Sequence, residues 1–408
     1  MRFNHSGAHV VAEHLVASEI LVAAHAPSLL ATRFTTPIDT QRLTLLGTTR
    51  FDDDVRVHDQ FTWTSQSLLG GGSSMTIEEG ATAHFASGSQ STTFRFINHG
   101  SVLWDATGAL QMNTPLFHNA PNAVFEILPP SQSLYYHTSS VHELRNEGLL
   151  IKSGTGDHNF IYFSPQHYTY LNNTGTLEVR DGRLFLEGGP TQLQGSTLAG
   201  GTWDVWSGGE IRFTSDDDKE RSEPAIITND ASVILRGDAA FLAFDSLAHN
   251  RGSFALLESH AFTTMGDLLH EGALVLGRGS SLDISGDLDL GDDALTTFHV
   301  ARHAFRSEGD AASGTIVVSG AATLDGALRV EVGAMAPLLG ESFLLIASDD
   351  ITGEFGTLGL PDLPGPRFFT VEYGPEGVTL RVIPAPGMGA LAMFGAVLLR
   401  RGRRAAAA

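Results

Sequence analysis

The sequence predicts an all-β chain: a parallel β-helix (β-solenoid) followed by a β-rich C-terminal cap and a short C-terminal hydrophobic helix. Three observations lead there. Apolar residues alternate at spacing two between glycine turns, as in EGALVLGRGSSLDISGDLDLGDD, where Leu274/Leu276, Leu282/Ile284 and Leu288/Leu290 form the pairs. That is the period of a strand with one face buried. An Asn or His corner recurs at steps of 20 to 27 residues along much of the chain. Glycine makes up 45 of 408 residues, about 11% against a usual 7% or so, which points to many tight turns.

Residues 1–80 read as degenerate opening coils. FNHSGAHVV and TSQSLLGGGSSMTIEEGATAHF are imperfect matches to the corner pattern, and Val10 to Ala24 comes nearest to helical periodicity. A secretory signal needs a basic start and an apolar core of about 7 to 15 residues. Here Arg2 is the sole early basic residue, and Glu19 and His25 interrupt Leu15 to Ala26. The expectation is a start that lies inside a longer gene, or a truncated gene.

Residues 81–313 carry the repeats. Corners fall at Asn98, Asn119, Asn146, Asn173, Asn229, Asn250 and His270, each before an apolar alternating run. Between Asn173 and Asn229 the gap is two steps wide, and Gly201-Thr202-Trp203-Asp204-Val205 sits where the missing corner is expected. Repetition at this period, with strands and no helices, is the mark of coils that bury their apolar faces against one another. Two β-sandwich domains are the competing reading. Asn suits such corners because it tolerates left-handed backbone and bonds across turns, and stacked Asn side chains can bond one another along the coils. A row of amides presented to a glycan is the alternative.

Residues 314–383 have longer strands, two Pro-rich bends and aromatics at Phe343, Phe355, Phe368, Phe369 and Tyr373. Such a segment would cap strand edges that otherwise invite aggregation. Residues 384–408 hold three parts in fixed order: Pro384-Ala385-Pro386, an uncharged apolar stretch from Gly387 to Leu399, and the basic cluster Arg400, Arg401, Arg403 and Arg404. Thirteen helical residues reach about 20 Å against a hydrocarbon core of roughly 30 Å. Arg directly after an apolar stretch marks a cytoplasmic end, leaving the body outside the inner membrane.

That tail resembles the PEP-CTERM sorting signal of exported proteins in exopolysaccharide-producing Gram-negative bacteria, in a Pro-Ala-Pro form. Pro384 and Pro386 match its two prolines, and Ala385 stands where the family has Glu. The Arg cluster matches its basic end. The resemblance implies an exosortase-like sorting protease as partner, transient anchoring in the inner membrane, and release to the cell surface or an exopolysaccharide matrix. Upstream runs such as NNTGTLEVRDGRLFLEGG resemble the autotransporter-like β-helix repeats of large surface proteins.

Composition narrows the chemistry. With 25 Lys+Arg against 46 Asp+Glu the formal charge is −21, which disfavours nucleic acid as a partner. The absence of Cys removes disulfides, a thiol nucleophile and Cys-ligated metals. Asp52-Asp53-Asp54, Asp216-Asp217-Asp218 and the group Asp283, Asp287, Asp289, Asp292 and Asp293 lack calcium-loop spacing and read as solvated turns. His137 and His142, beside Tyr135 and Tyr136, are the densest aromatic and titratable group; burial in an irregular coil is preferred to sugar stacking. No phosphate loop or nucleophile elbow is present. The expectation is therefore no catalytic, cofactor or metal residues, and a structural or adhesive protein. A carbohydrate-active β-helix enzyme at the same address is the alternative.

Overall fold

A computed structural model describes residues 1–385 apart from 4–8, 11–14, 24–31, 65–66, 71–72, 87–89, 113, 115, 129–132, 136–141, 161–168, 188, 215–223 and 303–310. The described residues are all-β, with a single 3₁₀ turn at Leu242–Phe244. Most strands pair in parallel with an equivalent strand one coil further on, the arrangement expected of a β-solenoid. The chain divides into two units, Met1–Ser246 and Leu247–Ala408. The stretch nearest to helical periodicity is strand over Leu15–Val22, paired in parallel with Ile38–Leu45. The expected C-terminal helix falls outside the described residues.

In the first unit the period-two alternation becomes columns of side chains. Ile20, Leu43, Phe61, Ala83, Val102, Phe125, Leu150, Leu177, Trp203 and Val233 stand in register on consecutive coils, all buried. Each large apolar side chain so buried contributes roughly 1.5–3 kcal/mol. Aromatic rings also meet within parallel columns, as Phe96 stacks on Phe117 at 4.9 Å and Trp63 meets Phe85 edge-on at 5.2 Å on successive coils. Trp203 pairs with Leu177 on one side and Val233 on the other. The coil inferred for the wide gap is therefore present, with Leu198 opposite Asn229 at its corner.

The coils change form along the first unit. Leu15–Val22, Ile38–Leu45 and Val55–Trp63 are long single strands. Val55–Trp63 then pairs with two shorter strands, Ser74–Ile77 and Thr82–Phe85. Opposite His58 and Asp59 stand four residues, Glu78, Glu79, Gly80 and Ala81, so the surplus is extruded as a corner. Every later coil of this unit keeps a break at that point.

In the second unit parallel ladders link His249–Asn250 to Leu268–His270 and onward to Asp350–Gly353. A further set runs from Ser253–Leu257 to Thr357–Gly359. The parallel register thus continues past residue 314. The antiparallel hairpin of Arg367–Gly374 and Gly377–Pro384 lies against Ser342–Ala347. It is tied to the last coil by the Phe355 N–H, which donates to the Tyr373 hydroxyl at 3.1 Å.

Candidate functional site

The corners hold an ordered polar array. Asn98 donates through Nδ2 to Asn119 Oδ1 at 2.8 Å, Asn119 to Asn146 at 2.8 Å, and Asn146 to Asn173 at 2.7 Å. Each Nδ2 also donates to a backbone carbonyl of the following coil, at Val124, Leu149, Thr176 and Thr202 in turn. All four side chains are buried. A row of amides facing a glycan is thereby overturned: the ladder turns inward because its donors and acceptors satisfy one another and the corner backbone.

The corners crowd one another where the chain turns. A Cβ on Gly148 would lie 2.4 Å from the carbonyl oxygens of both Ala120 and Ala123, and one on Gly175 would lie 2.3 Å from the Gly148 carbonyl oxygen. The glycine two residues after Asn98, Asn146 and Asn173 therefore reflects close backbone approach.

The outer side of these corners forms a polar cleft of about 360 Å³ lined by Glu78, Glu79, His99, Ser101, Pro121 and Asn122, among others. It opens where the long strands first break, on three consecutive coils. Gly80 and Asn122 adopt left-handed backbone there, with φ of 79° and 66°, and Gly80 contributes no side chain to fill the space. Glu78 lies 3.8 Å from Arg56. The lining offers carboxylates and an imidazole to hydroxyl or amine donors, and it has no Phe, Tyr or Trp ring for stacking on a sugar. Sequence reasoning missed this cleft; the signal was the local Glu-Glu-Gly insertion, visible only against the register of the preceding coil.

It also missed Lys152. Trp63, Phe85, Trp104, Ile127, Lys152, Val179 and Val205 form one inward column, and Lys152 is fully buried within it. Its ammonium donates to the carbonyls of Gly154 and Asp181. Burial pushes its pKa down to about 8, against the opposing pull of Asp181 and Asp157. Alternation in LLIK, which places Leu150 and Lys152 on the same face, was the available signal.

Several of the remaining candidates make structural contacts. Asp52 bridges Arg50 and Arg33 at 2.7 and 2.5 Å, and those guanidiniums hold its carboxyl below the usual range. Asp54 accepts from the Ser74 N–H, Asp267 from that of Asp287, and Asp287 from that of Ala321. Among the described residues no group of three or more His, Asp or Glu side chains is placed to hold a metal ion. His142 is buried, with Nδ1 at 2.5 Å from the Thr114 carbonyl oxygen; Tyr136, His137 and Asp216-Asp217-Asp218 lie outside the described residues. Asp204 and Arg236 form a bidentate pair at 2.8 and 2.9 Å, and the guanidinium stacks 4.7 Å from the Trp206 ring centre.

Of the tail motif, Pro384 ends the last strand opposite Arg367, and the Ala385 N–H donates to the Pro366 carbonyl at 2.9 Å. Pro386, the apolar stretch and Arg400, Arg401, Arg403 and Arg404 lie outside the described residues. No helix among the described residues is long and apolar enough to cross a membrane. No model of a known protein family matches the chain, and no curated protein matches it.

Proposed function

We propose that this chain is an exported structural or adhesive β-solenoid protein, directed by its C-terminal tail to the cell surface or to an exopolysaccharide matrix. The observation that carries the structural reading is the Asn98–Asn119–Asn146–Asn173 ladder. Buried polar side chains that could have formed a site are instead bonded from coil to coil. Repetition of this kind extends a surface without converging reactive groups. The sorting reading rests on the order Pro384-Ala385-Pro386, apolar stretch and Arg cluster, with an exosortase-like protease and the inner membrane as partners.

The test is expression in an exopolysaccharide-producing Gram-negative host that has exosortase, behind a secretion signal. Mass spectrometry of the released protein should find a C-terminus near Pro384 to Pro386. Truncation after Ile383 should abolish transient membrane association. Recovery of the uncut chain, with Arg404 still attached, would overturn the sorting reading. The second reading, a carbohydrate-active enzyme, is favoured by one feature, the cleft with Glu78, Glu79 and His99. Turnover of neutral or acidic glycans that disappears in Glu78→Gln and Glu79→Gln would replace the structural reading.

A further inference from the structure

We infer that His270 is an acid-sensitive latch of the second unit: protonating its ring costs the Asn250 amide one of the two bonds it makes there and opens the join between their coils. In register, Asn250 faces His270, and His270 faces Leu290. Over three consecutive coils the corner position thus changes from an amide to an imidazole to an aliphatic side chain.

The protonation state follows from the bonding. Asn250 Nδ2 lies 2.9 Å from His270 Nδ1 and donates to the Ala273 carbonyl at 3.3 Å. A carbonyl only accepts, so the amide nitrogen must point toward Ala273, and the same nitrogen is what meets the ring. Nδ1 is then the acceptor, and the ring proton sits on Nε2. That Nε2 is buried and makes no well-formed hydrogen bond; Leu290 cannot supply one. A second proton must enter at Nδ1, where it would face the Asn250 NH₂, donor against donor. Turning the amide would relieve that clash and place Asn250 Oδ1 against the Ala273 carbonyl. Either way a buried polar contact is lost.

Charges around the corner do not remove the conflict. On the preceding coil His249 is held 2.6 Å from the Glu271 carboxylate. Glu271 adjoins His270 in sequence, and Asp289, Asp292 and Asp293 belong to the following strand and its corner. The Glu271 charge and the Leu295 and Asn250 backbones favour the charged ring, but burial outweighs them and pushes the pKa down to about 4. Since the free imidazole titrates near 6.5, the open state takes up a proton that the closed corner refuses. The closed corner therefore loses stability as pH falls from about 6.5 to about 4, by up to about 300-fold in the opening equilibrium.

The corner amides report the opening directly. The N–H groups of Glu271 and Gly272 donate to the Asn250 carbonyl at 2.9 and 3.1 Å, and that of Ala273 to Gly252 at 2.8 Å. Hydrogen exchange at these amides is compared between the full chain and His270→Asn, which continues the amide ladder, from pH 7 to pH 4. Comparison at equal pH cancels the intrinsic chemistry of exchange. The expected result is a wild-type opening that grows relative to the variant as pH falls, toward about 300-fold. A constant ratio overturns the latch. Should His270→Asn not fold, His270→Leu repeats the residue of the next coil and serves in its place. Independently, the His270 ring should retain the neutral Nε2–H tautomer by NMR at pH 5.5; a charged ring there also overturns it.

Discussion

Asn119 and Asn146 lie 27 residues apart in sequence and are joined side chain to side chain, the amide of one donating to the carbonyl oxygen of the other at 2.8 Å inside the protein. Asn146 passes the pattern on, to Asn173 at 2.7 Å and to the Thr176 carbonyl at 2.9 Å. Asn146→Ala removes an acceptor for Asn119 and a donor for two oxygens. The expected loss is about 3 kcal/mol in unfolding free energy, read by denaturant titration. A loss below about 0.5 kcal/mol would mean that the ladder is incidental. Asn146→Asp should be at least as damaging at neutral pH, because a carboxylate cannot donate, and should recover partly in acid as the buried carboxyl takes a proton.

Gly175 has ordinary backbone angles, so its requirement is space alone. With the Gly148 carbonyl 2.3 Å from any Cβ, neither backbone can move without breaking corner bonds. Gly175→Ala should destabilise by about 2–3 kcal/mol, whereas an alanine at Gly195, which has open space around it, is strained only by its positive φ of 63°. Thermal melts of the two variants should rank Gly175→Ala as the less stable; the reverse order would remove the close-approach argument.

Lys152 gives the first unit an alkaline signature. Its folded pKa of about 8 lies below the 10.5 of a free lysine, so the unfolded chain binds the extra proton between those values. Stability should rise as pH climbs from 8 to 10.5, by about 3 kcal/mol from this group. Lys152→Met should lack that rise, and the difference between the two pH profiles isolates it from other titrations. Parallel profiles across that window would refute the assignment.

Arg236 combines a two-toothed bond to Asp204 with a stack on Trp206. A lysine keeps the charge and loses the planar fork and the stack. Arg236→Lys should destabilise by about 1–3 kcal/mol, with a matching shift in Trp fluorescence if Trp206 becomes more accessible. Wild-type stability in Arg236→Lys would show that the charge alone suffices.

Period-two alternation determined the strands, and the spacing of Asn corners determined that they recur coil upon coil. Even the coil without an Asn, around Trp203, was legible, because its Gly-Thr-Trp-Asp-Val text repeats the corner grammar. Both signals are local: a strand's two faces and a turn's backbone angles are set by residues a few positions apart. Which partner each polar residue meets is not local. Lys152 reads as the end of an apolar run, and only stacking places it between Ile127 and Val179. The Asn side chains could have faced outward or inward from the same sequence, and register decided it by bringing each Nδ2 within reach of the next Oδ1. His270 looked like one more corner residue until its neighbours proved to be an amide on one side and Leu290 on the other. Sequence alone fixed the period. Tertiary structure decided the chemistry, because hydrogen bonds and burial depend on contacts between coils 20 or more residues apart.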